Sequence, residues 1–382
     1  MFAHPSRRAL LAAAPALLTG CFRKKYRAVE GLAFVANEDG RAVAVVGLDP
    51  FELIRHIPVN APPTALAAHP HKQLIYALTP ASGTVHEIDA VRLEVTRRVQ
   101  AGSIATSMRL DENGDQLWVL CGPSRRLVRV NTSTLRSESQ IPLPAVAVDF
   151  DLSSGAGRSK QYWHDTNLAA ISYGPAGAIQ VLDRKTGVLG PMVRISSEVG
   201  SVRFRSDGKA VLAADLSGRM LSFVAAPESR VITNLPLALR PDYFCFHPDG
   251  GQLFITGEGR DAVVVVYPHN VPQVAETILA GRAPAAMTAS DRFLFITSPA
   301  AGEVIILNID TRRVVASAAA GAEPCFVTLT PKGEYALVLN RKSGDMAVIR
   351  VAAIAPNRQK TAALLTMIPV GSKPVSAVVV AG

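Results

Sequence analysis

The stretch FLFITSPAAGEVIILNIDTRRVVASAAAGAEPCFVTLTPKGE, residues 293–334, is one complete copy of a pattern that fills most of the chain. It contains four short runs rich in β-branched and apolar residues, FLFIT, EVIILNI, VVASAAAG and EPCFVTLT, which tight turns separate. Four short strands cannot bury both faces of a sheet by themselves. The unit therefore predicts stacked neighbours of the same kind.

The first strand of this unit recurs at nearly constant spacing along the chain. Its copies start at Ala33, Leu74, Leu117, Asn167, Ala210, Leu253, Phe293 and Tyr335. A period of about 40 to 45 residues with four strands per unit is typical of a β-propeller, whereas helical repeats would show apolar residues about every 3.6 positions. We therefore predict an all-β fold, a single β-propeller of eight four-stranded blades. Seven blades is the alternative, in which the weaker unit at 117–166 is not a full blade.

Three kinds of short motif mark the units. They are the AFVAN strand at 33–37, the Asp-Gly turns at 207–208 and 249–250, and the Gly-x-x-Pro corners at 281–284, 321–324 and 371–374. Together they resemble the motifs of the YVTN-repeat β-propeller family, over about residues 33–382. The resemblance implies the fold. It implies no particular function, because that family includes surface proteins, periplasmic binding proteins and members without an assigned activity.

The ends of the repeat region predict how the ring closes. The region begins with three strands at 33–59 and finishes with a strand of the fourth type at 375–381. If this last strand pairs into the first blade, the ring has no exposed sheet edge, which would otherwise invite aggregation. We therefore predict closure by the C-terminal strand. Each unit is then shifted by one strand, so that the run starting at Cys325 belongs with the blade that starts at Tyr335.

Residues 1–20 have the pattern of an export signal. Arg7 and Arg8 precede a short apolar run at 9–18, which is too short for a permanent membrane span of roughly 20 residues. The segment ends in LTGC and resembles the lipobox of bacterial lipoproteins, which implies cleavage before Cys21 and a lipid on that cysteine. SRRALL at 6–11 also resembles a twin-arginine signal, with the Sec route as the alternative.

The run FRKKYR at 22–27 places four cations directly after Cys21. Each cation near an anionic leaflet contributes about 1 kcal/mol to membrane binding, so residues 21–32 are predicted to be a lipidated basic tether. A solvated linker is the alternative. The sequence thus predicts a monomeric, lipid-anchored protein of the cell envelope, on its periplasmic or extracytoplasmic face, with a propeller over 33–382.

Charge and cysteine usage narrow the function classes. The formal net charge is +9, and four of the cations lie in the tether, so the body is only mildly basic. No arginine-rich helix or alternation of aromatic and basic residues is present, which argues against nucleic acid as a partner. Apart from Cys21, the cysteines are Cys121, Cys245 and Cys325, an odd number without Cys-x-x-Cys spacing. We predict three buried thiols, with a single disulfide among them as the alternative, and no metal site and no cofactor.

Polar residues beside the Gly-x-x-Pro corners are the first candidates for a binding site, because each corner precedes an innermost strand. They should line the mouth of the central channel on one rim. They are Arg240, Asp242, Arg282, Glu323, Cys325 and Lys373. Their mixed charge favours a small anionic or zwitterionic ligand, and rim charges that are merely solvated are the alternative.

The interval between Leu117 and Asn167 is longer than the others because it contains an insertion, DLSSGAGRSKQYWHDT at 151–166. Loops of this length without regular structure are usually functional or mobile. Tyr162, Trp163 and His164 are candidate anchors for a partner. A decorated surface turn is the alternative.

Asp89, Asn131, Asp183 and Asn308 occupy the same position of the repeat, just after the second strand of the unit. A carboxylate or amide repeated at one position resembles a ligand set. These residues fall in separate units, however, and Asx side chains at a strand end cap the following turn. We predict the capping role.

The sequence favours an envelope-anchored, non-enzymatic binding or interaction scaffold for a protein or small molecule at the propeller rim; no catalytic residue is predicted. The alternative is a propeller enzyme or a cofactor-handling protein that uses the central channel. A lactonase-like protein needs an acid, a base and a cation converging on the channel. A relative of the haem-binding nitrite reductase propellers needs axial histidines there, and the predicted rim has none.

Overall fold

The computed structural model describes residues 31–156, 158–226, 228–354 and 363–381. Within these ranges the chain forms eight antiparallel sheets of four strands each, with three single-turn 3-10 helices at Pro80–Ser82, Gly174–Ala176 and Val351–Ala353. None of these helices is long and apolar enough to cross a membrane. The predicted signal segment, Cys21 and the tether up to residue 30 lie outside the described residues.

The strands of the first half of the chain follow the predicted repeat. They are β1 (Leu32–Asn37), β2 (Ala42–Leu48), β3 (Phe51–Pro58), β4 (Ala65–Ala68), β5 (Leu74–Thr79), β6 (Thr84–Asp89), β7 (Glu94–Gln100), β8 (Ser107–Leu110), β9 (Gln116–Cys121), β10 (Arg126–Asn131), β11 (Arg136–Pro142), β12 (Asp149–Leu152), β13 (Leu168–Tyr173), β14 (Ala178–Asp183), β15 (Leu189–Arg194) and β16 (Val199–Phe204).

The second half continues in the same order. Its strands are β17 (Ala210–Asp215), β18 (Met220–Ala225), β19 (Arg230–Pro236), β20 (Arg240–Phe246), β21 (Leu253–Glu258), β22 (Ala262–Tyr267), β23 (Gln273–Leu279), β24 (Met287–Ala289), β25 (Phe293–Ser298), β26 (Glu303–Asn308), β27 (Arg313–Ala319), β28 (Pro324–Leu329), β29 (Tyr335–Asn340), β30 (Asp345–Arg350), β31 (Leu364–Pro369) and β32 (Pro374–Val380).

The eight sheets are the blades of a closed ring. Blade 2 is β4 to β7, and each following group of four strands forms the next blade, up to blade 8 with β28 to β31. Blade 1 combines β32 with β1, β2 and β3. The innermost strands contact one another in sequence around the channel, from β32 and β4 to β28 and back to β32. The prediction of an all-β propeller with eight blades is confirmed, and the seven-blade alternative is wrong.

The C-terminal strand closes the ring as predicted. β32 pairs antiparallel with β1, with Leu32 opposite Val380 and Phe34 opposite Val378. The predicted phase shift is also present, because residues 293–334 supply three strands of blade 7 and then β28, the innermost strand of blade 8. Every blade therefore takes its innermost strand from the same repeat phase.

The core lies between the blades rather than at one centre. Middle strands have a blade on each face, and all seven residues of β2 are accordingly buried. An outermost strand has solvent on one face, and in β7 (EVTRRVQ) exposed and half-buried residues alternate. This difference explains why continuous apolar runs mark the first two strands of each unit, while polar alternation marks the third.

The Gly-x-x-Pro corners share one backbone conformation. The residue before the proline has a positive φ in all three, with 49° at Ala283, 60° at Glu323 and 56° at Lys373. Two of the corner carbonyls accept hydrogen bonds from neighbouring loops, Glu323 O from Arg341 N at 2.9 Å and Lys373 O from Glu38 N at 3.0 Å. These three corners connect the outermost strand of one blade to the innermost strand of the next.

The structure confirms one smaller prediction and part of another. The repeated Asx side chains cap turns; Asp89 Oδ1, for example, accepts the backbone N–H of Val91 at 2.8 Å, and the other three cap in the same way. Cys121, Cys245 and Cys325 are free thiols, but only Cys121 is buried as predicted, and Cys245 and Cys325 are half-buried.

Candidate ligand site in the central channel

The channel has two distinct ends because every innermost strand runs in the same direction. We call the end where the Gly-x-x-Pro corners precede these strands the corner face. The opposite end, where the innermost strands finish and the insertion continues from β12, is the insertion face. The two groups of residues predicted from the sequence therefore lie at opposite ends of the channel.

The charged candidates on the corner face are held in separate ion pairs. The guanidinium of Arg240 lies 3.4 Å from the carboxylates of Glu198 and Glu258. Lys373 Nζ lies 3.0 Å from Glu38 Oε2. Each pair joins neighbouring loops on its own part of the rim, so these charges do not converge on one point.

The other candidates on this face also have different surroundings. Glu323 Oε1 lies 3.5 Å from Arg341 Nη1, and Arg282 is exposed. The thiol of Cys325 donates to the carbonyl oxygen of Pro374 at 3.3 Å. Burial raises the pKa of the Cys325 thiol, so the group stays protonated and is poorly suited to act as a nucleophile.

Asp242 completes this set. Its carboxyl is partly desolvated and lies near Glu258, and both effects raise its pKa. None of the six candidates lines either of two cavities that lie elsewhere in the channel.

The two cavities lie at the insertion face. The larger has a volume of about 720 Å³ and is lined by β4, β8, β12, β28 and β32. The smaller has a volume of about 360 Å³ and is lined by the ends of β20 and β24. Arg158 and Arg203 line both cavities. These two side chains therefore lie between the two halves of the channel.

The insertion crosses this end of the channel. On one side it is fixed to blade 3, where Ser154 Oγ donates to Glu112 Oε2 at 2.6 Å. On the other side it reaches blade 6, where Trp163 Nε1 donates to the carbonyl oxygen of Pro248 at 3.3 Å. Residues 151–156 and 158–166 therefore form a bridge over the channel, which we call the insertion bridge.

Trp163, one of the predicted partner anchors, packs against its own propeller. Its side chain is 5 % exposed, and its ring meets the ring of Phe246 edge-on with centroids 5.1 Å apart. The guanidinium of Arg158 lies 4.4 Å from the centroid of the same ring. Tyr162 and His164, on either side, are exposed. The buried indole therefore anchors the insertion bridge, and its two neighbours remain at the surface.

A cluster of five charged side chains lies where the bridge leaves blade 4; Arg158 comes from the bridge, and the other four residues lie on the innermost strands of blades 3, 4 and 5. Arg158 donates to both carboxylate oxygens of Asp151, at 3.0 and 2.8 Å. Arg203 Nη1 donates to Asp149 Oδ2 at 2.6 Å. Arg109 Nη2 makes a longer contact of 3.5 Å with Asp149 Oδ1. We call these five residues the channel cluster.

The two carboxylates also connect neighbouring blades. Asp151 Oδ2 accepts the backbone N–H of Phe204 at 2.9 Å, and Asp149 Oδ2 accepts that of Val202 at 3.2 Å. Burial would raise the pKa of Asp151, but Arg158 and Arg203 together hold it below its ordinary value. The Asp151 side chain is therefore a fixed negative charge.

The three guanidinium groups do not share these charges equally. Burial opposes the charge of Arg203, but Asp149 and Asp151 more than offset it, and the pKa of Arg203 is raised. For Arg109, burial and then the charge of Arg203 lower the pKa, and Asp149 does not fully compensate. The Arg109 side chain is 33 % exposed. Arg109 is thus the least well paired cation of the channel cluster.

The larger cavity also has an apolar wall, which blades 8, 1 and 2 form. The innermost strands β28, β32 and β4 contain no charged residue. Their lining side chains include Leu66, Ala67, Leu329, Val378 and Val379. The cavity therefore has one charged wall, on blades 3 to 5, and one apolar wall, on blades 8, 1 and 2.

The smaller cavity is lined by aromatic rings and by two groups with possible chemistry, Cys245 and His247. Burial raises the pKa of the Cys245 thiol to about 12. His247 Nδ1 lies 2.6 Å from Asp249 Oδ1, and its Nε2 lies 3.1 Å from the carbonyl oxygen of Asp291. Both ring nitrogens are therefore engaged within the propeller.

Across the described ranges, no group of three or more His, Cys, Asp or Glu side chains is arranged to hold a metal ion.

Sequence reasoning missed the channel cluster, although a signal was present. Arg109, Asp149, Asp151 and Arg203 lie inside short strands of the fourth type, which are otherwise mostly apolar or small at this position of the repeat. Lys, Arg, Asp and Glu are almost never buried without a partner. Charges of both signs within innermost strands of consecutive blades therefore indicate pairing inside the channel.

Comparisons with known proteins agree with the architecture. No protein-family model matches the chain, and no curated protein matches it either. Among solved structures, the dihydro-heme d1 dehydrogenase NirN in complex with DHE is similar, with a TM-score of 0.71, 15 % identity, and coverage of 93 % of this chain and 76 % of that one.

Two further solved structures are similar to this chain over nearly the whole length of their own chains. Apo AztD from Citrobacter koseri has a TM-score of 0.64, 12 % identity, and coverage of 92 % of this chain and 98 % of that one. A functionally unknown protein from Desulfotomaculum acetoxidans has a TM-score of 0.62 and 11 % identity, with coverage of 91 % and 98 %. What this chain shares with them is the fold. At these identities the similarity carries no function across.

The exit of the insertion bridge provides a pH-dependent test of how it is held. Asp165 Oδ1 accepts hydrogen bonds from Ser153 Oγ at 2.5 Å and from the backbone N–H of Asn167 at 2.9 Å, and it pairs with Arg184. Burial would raise the pKa of Asp165, but the Ser153 hydroxyl and Arg184 lower it below its ordinary value. Its stabilising effect is therefore complete above the unfolded-state pKa and is lost as the pH falls through the lower folded-state value.

We expect acrylamide quenching of Trp163 fluorescence to rise as the pH falls below the ordinary aspartate pKa of about 3.9, as Asp165 and other carboxylates of lowered pKa become protonated. The Trp163 signal is obtained as the difference between the wild type and Trp163→Phe. Asp165→Asn is expected to show raised quenching already at neutral pH. If Asp165→Asn and the wild type were quenched equally at all pH values, Asp165 would not hold the bridge.

Proposed function

We propose that this chain is a binding protein of the cell envelope that holds a small molecule in the larger cavity of its propeller channel. The observation that carries the proposal is the cavity itself, about 720 Å³ with one charged and one apolar wall. Small-molecule sites typically have volumes of roughly 300 to 1,000 Å³, mostly apolar walls and a few placed polar groups. The closed ring fixes the positions of the innermost strands that form these walls, and walls that are positioned before binding lower its ordering cost.

The state of the channel charges favours binding over acid–base catalysis. A general acid or base needs a pKa near the working pH and a free position to exchange its proton. Asp151 is held as a carboxylate, and both of its oxygens accept hydrogen bonds from Arg158. This arrangement presents fixed charge to a ligand rather than a transferable proton.

The N-terminal sequence supports the proposed location in the cell envelope. The LTGC segment ending at Cys21 supports lipidation, and the four cations at 22–27 support contact with an anionic membrane surface. The repeat motifs support a place in the YVTN-repeat family. We propose a lipid-anchored monomer whose propeller lies on the periplasmic or extracytoplasmic side.

A second candidate function is the handling of a cofactor, and one solved structure favours it. That structure is NirN in complex with DHE, whose fold extends over 93 % of this chain. A metal-containing cofactor would need an axial ligand, and both ring nitrogens of His247, which lines the smaller cavity, are already engaged. A visible absorption spectrum of the full chain purified from its own envelope separates the two candidates. An absorption band that corresponds to about one chromophore per protein chain would favour the cofactor-handling function.

Filling the cavity tests the binding function. Ala67 lies on the innermost strand β4 and lines the larger cavity, so Ala67→Phe places a ring in that space. The matched control is Ala289→Phe, which fills the smaller cavity instead. We expect mass spectrometry of the denatured proteins to detect a small molecule co-purified with the wild type and with Ala289→Phe.

For Ala67→Phe we expect this molecule to be reduced at least about tenfold, because the added ring occupies its place. The melting temperatures of all three proteins are measured to confirm that each is folded. An identical complement of small molecules in the wild type and in folded Ala67→Phe would contradict binding in the larger cavity.

A further inference from the structure

We propose that the ligand of the larger cavity is an organic monoanion, a carboxylate with an apolar body, whose acid group binds Arg109. This inference rests on the proposed binding function and specifies its ligand class. The body would lie along β28, β32 and β4. Three independent features of the channel carry the inference: its charge balance, the pairing of Arg109 and the placement of the apolar wall.

The charge balance predicts a single negative charge. The channel cluster contains three guanidinium groups and two carboxylates, a surplus of one positive charge. The innermost strands on the other side contribute no charge of either sign. A desolvated charge without a full partner is unfavourable. One bound carboxylate would balance the surplus charge of the channel cluster.

The pairing within the channel cluster identifies Arg109 as the binding group. Arg158 is engaged by both oxygens of Asp151 and by the carbonyl oxygen of Leu152 at 2.6 Å. Arg203 is engaged by Asp149 and by the carbonyl oxygen of Val202 at 2.5 Å. Arg109 has a 3.0 Å bond to the carbonyl oxygen of Met108 and the 3.5 Å contact with Asp149.

The guanidinium of Arg109 therefore retains hydrogen-bond donors for a ligand. A guanidinium has five N–H donors in a planar fork that matches a carboxylate. Arg109 lines the larger cavity and not the smaller one. The acid group is thus placed in the larger cavity, at the edge of the charged wall.

The size and the opposite wall of the cavity predict an apolar body rather than an inorganic anion. A volume of about 720 Å³ is far larger than a single small anion needs. The apolar wall of the same cavity includes Leu66, Leu329 and Val378. An apolar body would remove this surface from water at roughly 25 cal/mol per Å² of buried area.

Three probes that differ in charge but share one body test the ligand class. They are 4-phenylbutyrate, 4-phenylbutan-1-ol and 4-phenylbutan-1-amine, titrated by calorimetry into the full chain in lipid nanodiscs, with empty nanodiscs subtracted. We expect the carboxylate to bind at least about tenfold more tightly than the alcohol, which corresponds to about 1.4 kcal/mol. The amine is expected to bind more weakly than the alcohol.

Substitution of Arg109 assigns the effect to that side chain. In Arg109→Gln we expect the preference for the carboxylate over the alcohol to fall to about twofold or less, since a neutral amide cannot pair with the charge. Arg109→Lys is expected to retain part of the preference. The control is Arg240→Gln on the corner face, which should leave the preference unchanged because Arg240 does not line either cavity.

The outcomes separate the inference from the proposed function. If the alcohol, the amine and the carboxylate bind equally, the channel is a small-molecule site but the anionic class is wrong. If none of the three binds although a small molecule co-purifies with the wild type and not with Ala67→Phe, the ligand class is wrong and the binding function stands. If none binds and Ala67→Phe keeps the complement of the wild type, the binding function itself is contradicted. If the carboxylate is preferred but folded Arg109→Gln keeps that preference, the assignment of the acid group to Arg109 is overturned.

Discussion

Deletion of residues 375–382 is expected to abolish cooperative unfolding of the propeller. The deletion removes nearly all of β32, which pairs with β1 along its length and packs between the innermost strands β28 and β4. The deleted strand contains four valines and the buried Ala377. Burying one valine contributes on the order of 1.5 kcal/mol, whereas a whole domain is stable by about 5 to 15 kcal/mol.

The loss should exceed this simple count because the deletion opens the ring. β1 would present unpaired backbone N–H and C=O groups at a new sheet edge, which is a hazard for aggregation. The measurement is thermal unfolding followed by circular dichroism. We expect a broad transition or aggregation in place of a single sharp one.

The matched control is deletion of residues 381–382, which leaves β32 intact. It is expected to melt as the full chain does, because Ala381 is exposed and its carbonyl oxygen accepts one 3.3 Å bond from Gln73. A single sharp transition at an unchanged temperature in the longer deletion would be incompatible with closure through β32.

The sequence predicted the fold in detail because the same local pattern recurs in every blade. Predicted starts at Leu74, Ala210 and Phe293 coincide with the starts of β5, β17 and β25. The weak unit at 117–166 nevertheless supplies strands to two blades, as the other units do. Its strands β9 to β11 belong to blade 3, and β12 is the innermost strand of blade 4. Its insertion adds chain at the insertion face without changing the strand order.

The ligand cavity was not predictable in the same way, because it depends on contacts between distant parts of the chain. Polar residues beside repeated corners, such as Arg240 and Lys373, are visible in the sequence. The acidic residues that hold them in separate ion pairs lie on other loops. The cavity at the insertion face exists because the chain between β12 and β13 folds across the channel. No local sequence pattern predicts where such a segment will lie.

Trp163 shows the same limit. An aromatic residue in a long insertion predicts a contact, but the sequence does not say with which molecule. The contact is with Phe246 and the carbonyl oxygen of Pro248, in a blade two positions further around the ring. The cation Arg158, five residues earlier in the insertion, covers the other part of the ring and extends to Asp151.

Asp151→Ala is expected to destabilise the protein by about 3 to 5 kcal/mol, the range for removing one partner of a buried ion pair. The Asp151 side chain is 4 % exposed and the Arg158 side chain 20 %. Its removal leaves the charge of Arg158 uncompensated and the buried backbone N–H of Phe204 without its acceptor. The measurement is urea unfolding, with the free energy extrapolated to water.

The control for this substitution is Asp39→Ala. The Asp39 side chain is 61 % exposed and lies 3.8 Å from Lys373, so its removal should change the stability by no more than about 1 kcal/mol. If Asp151→Ala were no more destabilising than Asp39→Ala, the channel cluster would not hold blades 4 and 5 together.

A double variant separates the two costs of losing Asp151. In Asp151→Ala with Arg158→Met, the unpaired cation is gone, so we expect part of the lost stability to return. A deficit of about 1 to 3 kcal/mol should remain, because the buried N–H of Phe204 still lacks an acceptor. Full recovery would show that the ion pair alone matters. No recovery would show that Asp151 acts mainly through the backbone of blade 5, and that the insertion bridge adds little to the stability of the ring.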